Sequence, residues 1–277
     1  MLCRVTTSDG LMLDGDILQA ATPRPTAYVF VHGTGSNFYA PGILEQLAKR
    51  AAESGHIALR INTRGHDGIA SIPSSSKSLK GGATYELVAD CVHDISAWCD
   101  YLESMGISRV VLVGHSMGGV KSIYSQAHSP HLAVCGIVCL SPPRFCHSHW
   151  MAHPQGSAFR EHFALASRLI AEHQPNALFE CRQPTPFVAT ASGFIEKYGP
   201  DDRYDFVPLL NRVTVPVLIL LGDKTLKTSP AFDTHPQELE RLRDAGVPVT
   251  FQVVTDTDMS YSGRADEIWR EISSRSN

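Results

Sequence analysis

Residues Val110–Gly119 read VVLVGHSMGG. The branched apolar run Val110–Val113 leads into Gly114-His115-Ser116-Met117-Gly118, a G-x-S-x-G pattern. Such a run fits a strand buried on both faces. Residues 117–128, which follow, suit a helix. A serine between strand and helix, flanked by small residues, marks a sharp turn that only such neighbours permit. Its hydroxyl would project above the sheet at a helix N-terminus, where free N–H groups and the helix dipole favour negative charge. Ser116 is therefore the candidate nucleophile. The alternative is a serine that merely caps the helix.

Outward from this turn, strands and helices alternate. TAYVFVHG (26–33), HIALRIN (56–62), LAVCGIVCLS (132–141), VPVLILLG (215–222) and VPVTFQVVT (247–255) read as strands. Helical apolar spacing covers residues 42–55, ended by Gly55, and residues 84–106, where Leu87, Cys91, Ile95, Trp98 and Leu102 recur every three or four places. RADEIWREISSRS (264–276) reads as the last helix. Near-continuous apolar strands separated by helices predict an α/β fold, with a mostly parallel central sheet covered on both faces. Ligand chemistry then falls at the carboxyl ends of the strands.

One span breaks the alternation. About 70 residues separate Ser141 from Val215, too many for a simple connection. With a helix expected over 156–173, the span predicts a cap (142–210) set into a core domain of residues 1–141 and 211–277. SIPSSSKSLKGG (71–82) reads as a mobile loop.

Composition narrows the partners. The 277 residues carry a net charge of −4 and no long basic run, so nucleic acid is not expected. The longest apolar run, VPVLILL, is far short of the ~20 residues of a membrane span. The first ten residues, MLCRVTTSDG, lack a secretory apolar core, and the seven scattered cysteines form no CxxC pair, which together predict a cytoplasmic protein. No cofactor is expected.

With two further motifs, VFVHGTGSNFY (29–39) and RINTRGHD (60–67), the chain resembles the α/β-hydrolase family over nearly its whole length. The resemblance implies that the N–H groups of Thr34 and Met117 form an oxyanion hole beside Ser116. It also implies a triad ordered serine, acid, histidine. Here the sequence departs from the family. Counting on from Gly222, the acid position holds Thr225, with Asp223 nearby; in TDTDMSYSG (255–263) the histidine position holds Met259. A thioether cannot take the serine's proton. No histidine follows His235.

Replacement acids or bases are then sought elsewhere: His66 on the loop after a strand, His147 and His149 in RFCHSHWMAH (144–153), and Asp223. A metal in that histidine cluster would need further ligands, and only Cys146 adjoins it. Trp150, Phe159 and Phe163 make the cap aromatic, either as its packing or as a pocket for an apolar substrate. The expected function is that of an enzyme binding a small acyl or carbonyl substrate, free or carrier-bound, through Ser116 and performing cyclisation, acyl transfer, elimination or rearrangement. The alternatives are an esterase or thioesterase with a relocated base, and a binding protein without turnover.

Overall fold

The computed structural model describes residues 1–19 and 23–275. In chain order the strands are β1 (Leu2–Thr6), β2 (Met12–Leu18), β3 (Thr26–Val31), β4 (Ile57–Ile61), β5 (Ala70–Ile72), β6 (Leu79–Gly81), β7 (Arg109–His115), β8 (Val134–Leu140), β9 (Leu178–Cys181), β10 (Phe187–Thr190), β11 (Val217–Gly222) and β12 (Val249–Val254). The helices are α1 (Ile43–Glu53), α2 (Cys91–Ser104), α3 (Met117–His128), α4 (His147–Ala152), α5 (Ser157–Ala171), α6 (Ala191–Tyr198), α7 (Phe206–Leu209), α8 (Asp223–Leu226), α9 (His235–Asp244) and α10 (Ala265–Ser274).

Eight strands form one sheet in the order β1-β2-β4-β3-β7-β8-β11-β12. The pairs from β4 to β12 are parallel, and β1 and β2 join antiparallel at one edge. Successive side chains of a strand face opposite sides, so each strand feeds two cores. Tyr28, Phe30, Val111, Val113 and Leu220 pack with α1 and α10, while Val29, Val31, Leu112 and Ile219 pack with α2, α3 and α9. No helix among the described residues is long and apolar enough to cross a membrane.

Three expectations change. The helix expected over 84–106 begins only at Cys91, after a short 3-10 turn at Val88–Asp90. Glu86 is drawn inward by two buried lysines, which leaves Leu87 half exposed, so tertiary ion pairing overrides the helical spacing. The stretch 71–82 contributes to the small β5–β6 hairpin, tied to the body by a bridge between Leu11 and Ser74. The hairpin β1–β2 was not read from the sequence at all. The closing helix α10 ends at Ser274, and Ser276 lies outside the described residues.

Between β8 and β11 the chain leaves the sheet. This cap holds α4, α5, the β9–β10 hairpin, α6 and α7. Its buried aromatics Trp150, Phe159, Phe194 and Tyr198 are continuous with the main core. Arg144 ties its base to the body: its N–H donates to the Ala231 carbonyl (2.8 Å) and its guanidinium reaches Asp205 (3.0 Å), Thr234 and Glu238 (3.1 Å each).

Candidate functional site

Strand β7 delivers Ser116 to the carboxyl edge of the sheet. Ser116 has φ 53° and ψ −124°, a region that L-residues avoid. Close packing enforces it. A Cβ on Gly118 would collide with the Val31 carbonyl oxygen, and one on Gly114 with the backbone of Gly118. The two glycines let the start of α3 press against the ends of β3 and β7. The strain is of the order of 1–3 kcal/mol and is held by this packing. The Ser116 hydroxyl has no hydrogen-bond partner among the described residues.

Strand β3 brings Gly33 against the serine: a Cβ built there would lie 3.1 Å from Ser116 Cβ and 3.6 Å from its Oγ. The Gly33 carbonyl turns away, accepting from His32 Nδ1 (2.8 Å) and from the Ser36 N–H (3.2 Å). Across a trans peptide the next N–H, that of Thr34, points the opposite way. Neither the Thr34 nor the Met117 N–H has an acceptor among the described residues.

The proton position on His32 follows from its partners. Nε2 accepts from the Thr63 N–H (3.1 Å), so Nδ1 carries the proton. Burial, helped by the charge of Lys121, lowers its pKa to about 3, so the ring stays neutral.

A cavity of about 330 Å³ opens beside Ser116. Gly33, Thr34, Ser36 and Asn37 form one wall, Ala40–Leu44 another, and His115, Met259, Ser260 and the cap residue Thr185 complete it. Met259, the residue expected at the histidine position, is thus among those lining the cavity, and Thr185 is a lining residue that the sequence does not single out. The Met259 carbonyl accepts from His115 Nε2 (2.7 Å). Burial lowers the His115 pKa, and the neutral ring pins the Met259 loop to the elbow. Thr225 is buried in α8, and its hydroxyl has no partner. Asp223 accepts from the Thr257 N–H (3.2 Å) and lies 3.7 Å from Lys227.

The other replacement candidates hold other partners. His66 bonds Asp67 through Nδ1 (2.7 Å), and Asp67 also accepts from Asn37 and Tyr39. His147 Nδ1 meets the Tyr198 carbonyl (3.0 Å) with its ring against Phe163. His149 Nε2 meets Asp233 (3.0 Å). None of the three histidines is among the residues lining the cavity. Trp150 and Phe159 are fully buried and pack with one another, with Phe159 also against Phe194, and the partly buried Phe163 joins them. They pack in the core of the insertion and do not line this cavity, whose apolar residues include Ile43, Leu44 and Met259.

Asp233 supplies the carboxylate partner that RFCHSHWMAH lacked in sequence: His149, His153 and Asp233 bring three ligand-type atoms within 4.8 Å of one another. The hydrogen bonding opposes a metal there. His153 Nδ1 accepts from the Gln155 N–H (3.1 Å), which leaves its proton on Nε2, aimed at Asp233 (3.2 Å). A metal would need that nitrogen bare.

A strained serine between strand and helix beside a cavity, and an eight-stranded, mostly parallel sheet in this order, fit a hydrolase-type α/β protein. A model of the alpha/beta hydrolase family matches residues 28–275, and the chain belongs to that family. Among solved structures, DcsB in complex with its substrate analogue aligns with TM-score 0.73 at 13% identity, over 99% of this chain and 97% of that one. The Pyrococcus furiosus esterase PF2001 aligns at 0.67 and 16% identity, over 99% and 89%. Est1E from Butyrivibrio proteoclasticus, with ferulic acid bound, aligns at 0.66 and 13% identity, over 98% and 97%. No curated protein matches the chain's sequence.

Proposed function

We propose that this enzyme binds the carbonyl of a small acyl substrate between Ser116 and the N–H groups of Thr34 and Met117, and that no protein imidazole takes the serine's proton. One observation carries the reading: the Ser116 hydroxyl and the Thr34 and Met117 N–H groups have no partner among the described residues, and Ser116, Thr34 and Met259 line one cavity. Such donors stabilise an oxyanion or enolate oxygen in a site of low dielectric.

Loss of a triad histidine costs about 10⁶ in kcat in a serine protease, with roughly 10³–10⁴ over water left to the oxyanion hole and binding. Bulk ester hydrolysis is therefore the weaker reading. Cyclisation, acyl transfer, elimination or rearrangement, with protons moved by substrate groups or water, fits better. The apolar wall of Ile43, Leu44 and Met259 suits an apolar acyl chain, free or carrier-bound.

A fluorophosphonate probe tests this. The wild type is expected to label slowly, Ser116→Ala not at all, and Met259→His faster by about tenfold or more. Rapid wild-type labelling at Ser116 overturns the base-free reading and restores an esterase with a relocated base.

A further inference from the structure

Three charged side chains with no part in the proposed carbonyl binding lie buried in the interior. Glu86, Lys121 and Lys197 have side-chain exposures of 1%, 0% and 1%. Lys121 stands on α3, a little over one turn beyond Ser116; Lys197 stands on the cap helix α6. Glu86 joins them, with Oε2 2.6 Å from Lys121 Nζ and Oε1 3.2 Å from Lys197 Nζ. Lys197 also donates to the Ala83 carbonyl (3.3 Å), and its ammonium lies 4.9 Å from the centre of the Phe187 ring in β10. Burial raises the Glu86 pKa, but the two lysines outweigh it and hold it down to about 2. Two cations share one carboxylate, so the cluster keeps a net positive charge. Burying charge costs several kcal/mol per ion even in good geometry, so such a cluster contributes little stability for its cost.

The cluster continues toward the site. Lys121 Nζ donates to Thr63 Oγ1 (3.0 Å), Thr63 Oγ1 lies 3.2 Å from His32 Nε2, and His32 Nδ1 donates to the Gly33 carbonyl (2.8 Å). From Lys121 onward every donor points toward Gly33, while Glu86 accepts from both lysines and couples them by charge. An ammonium can only donate, so the threonine hydroxyl donates to Nε2, whose lone pair it shares with the Thr63 N–H (3.1 Å), and the imidazole donates Nδ1–H to the carbonyl. Aligned bonds polarise one another. Their end is the Gly33–Thr34 peptide, whose free N–H belongs to Thr34 at the cavity wall.

We propose that Lys197, Glu86 and Lys121 are positioning residues: through Thr63 and His32 they orient and polarise the Gly33–Thr34 peptide, so that the Thr34 N–H is a strong donor only while the cap is seated. The meaning of that donor rests on the carbonyl-binding function proposed above; the relay itself can be read without it. The cap end is a contact surface. Besides Lys197, Thr84 Oγ1 donates to the Val188 carbonyl (2.7 Å), so β10 and α6 sit on the same 83–86 segment that carries Glu86.

The test is the Thr34 amide resonance in a ¹H–¹⁵N spectrum of the full chain, which needs no turnover and no substrate. Thr63→Val removes the hydroxyl while keeping shape and the backbone bond to His32; Thr63→Ser keeps the hydroxyl. Lys197→Met cuts the cap end. Thr63→Val and Lys197→Met are expected to move the Thr34 amide beyond the spread of distant amides, with Thr63→Ser restoring its position. The Met117 amide is expected to stay put in Lys197→Met. A Thr34 amide unmoved in folded Thr63→Val overturns the relay; one that moves there but not in Lys197→Met overturns its dependence on the cap. Failure of Ser116 to react with any probe would instead count against the carbonyl-binding function and leave this readout intact.

Discussion

Ser116 holds a backbone angle that costs energy, and two glycines exist to make it affordable in space. At this scale the sequence was informative, because G-x-S-x-G specifies local sterics and little else. The proposed replacements, Thr225 and Met259, were counted from the ends of β11 and β12. What the residues could not show is that the Thr225 hydroxyl is buried without a partner and that the Met259 carbonyl is held by His115. If Thr225 and Met259 stand in for the acid and the base, as proposed, each leaves the other without purpose, and that predicts coupling. Thr225→Asp alone is expected to destabilise the fold by about 1–3 kcal/mol, as a buried carboxyl without a partner. Combined with Met259→His it is expected to raise fluorophosphonate labelling beyond either single change. Additive labelling rates in that cycle would show that the two positions do not form one unit.

At the scale of elements, each strand of the sheet centre was visible as an apolar run, and α3 matches its predicted bounds. The segment before α2 was not. Helical spacing from Leu87 onward was real, but Glu86 is turned inward to Lys121 and Lys197, and the helix starts only after that segment. The cap aromatics show the same limit. Sequence could not choose between packing and pocket, because both need exposed-looking aromatic density on a long insertion. Packing won for Trp150 and Phe159. Phe159→Ala is therefore expected to cost about 3–5 kcal/mol in urea unfolding and to speed hydrogen exchange across α5 and α6. Exchange unchanged in those helices would mean that Phe159 is not the cap's keystone.

Over the whole molecule, acid sensitivity follows from buried neutral histidines. Burial lowers His32 to about 3 and His235 to about 4, against 6.5 for an exposed ring. Between these values the unfolded chain binds protons that the folded chain refuses, so stability rises with pH through that window and falls as pH drops from about 6.5 toward 4. Glu86 adds its own loss lower down, between its ordinary 4.5 and about 2. The urea midpoint is expected to be clearly lower at pH 5 than at pH 7. A flat profile there would show that these rings are not held neutral.

The sequence by itself determined the sheet and the elbow, because both are written in short-range patterns of size, polarity and spacing. The tertiary structure alone decided which groups meet. It placed Asp233 beside His149 and His153 and kept a proton where a metal would need none. It packed the cap aromatics together and lined the cavity beside Ser116 with Met259 and residues of the 33–44 segment. It joined Lys197 to Gly33 through Glu86, Lys121, Thr63 and His32, residues far apart in the chain. Such a relay leaves no local trace: a buried lysine reads in sequence like any other charge, and only burial and direction of donation give it meaning.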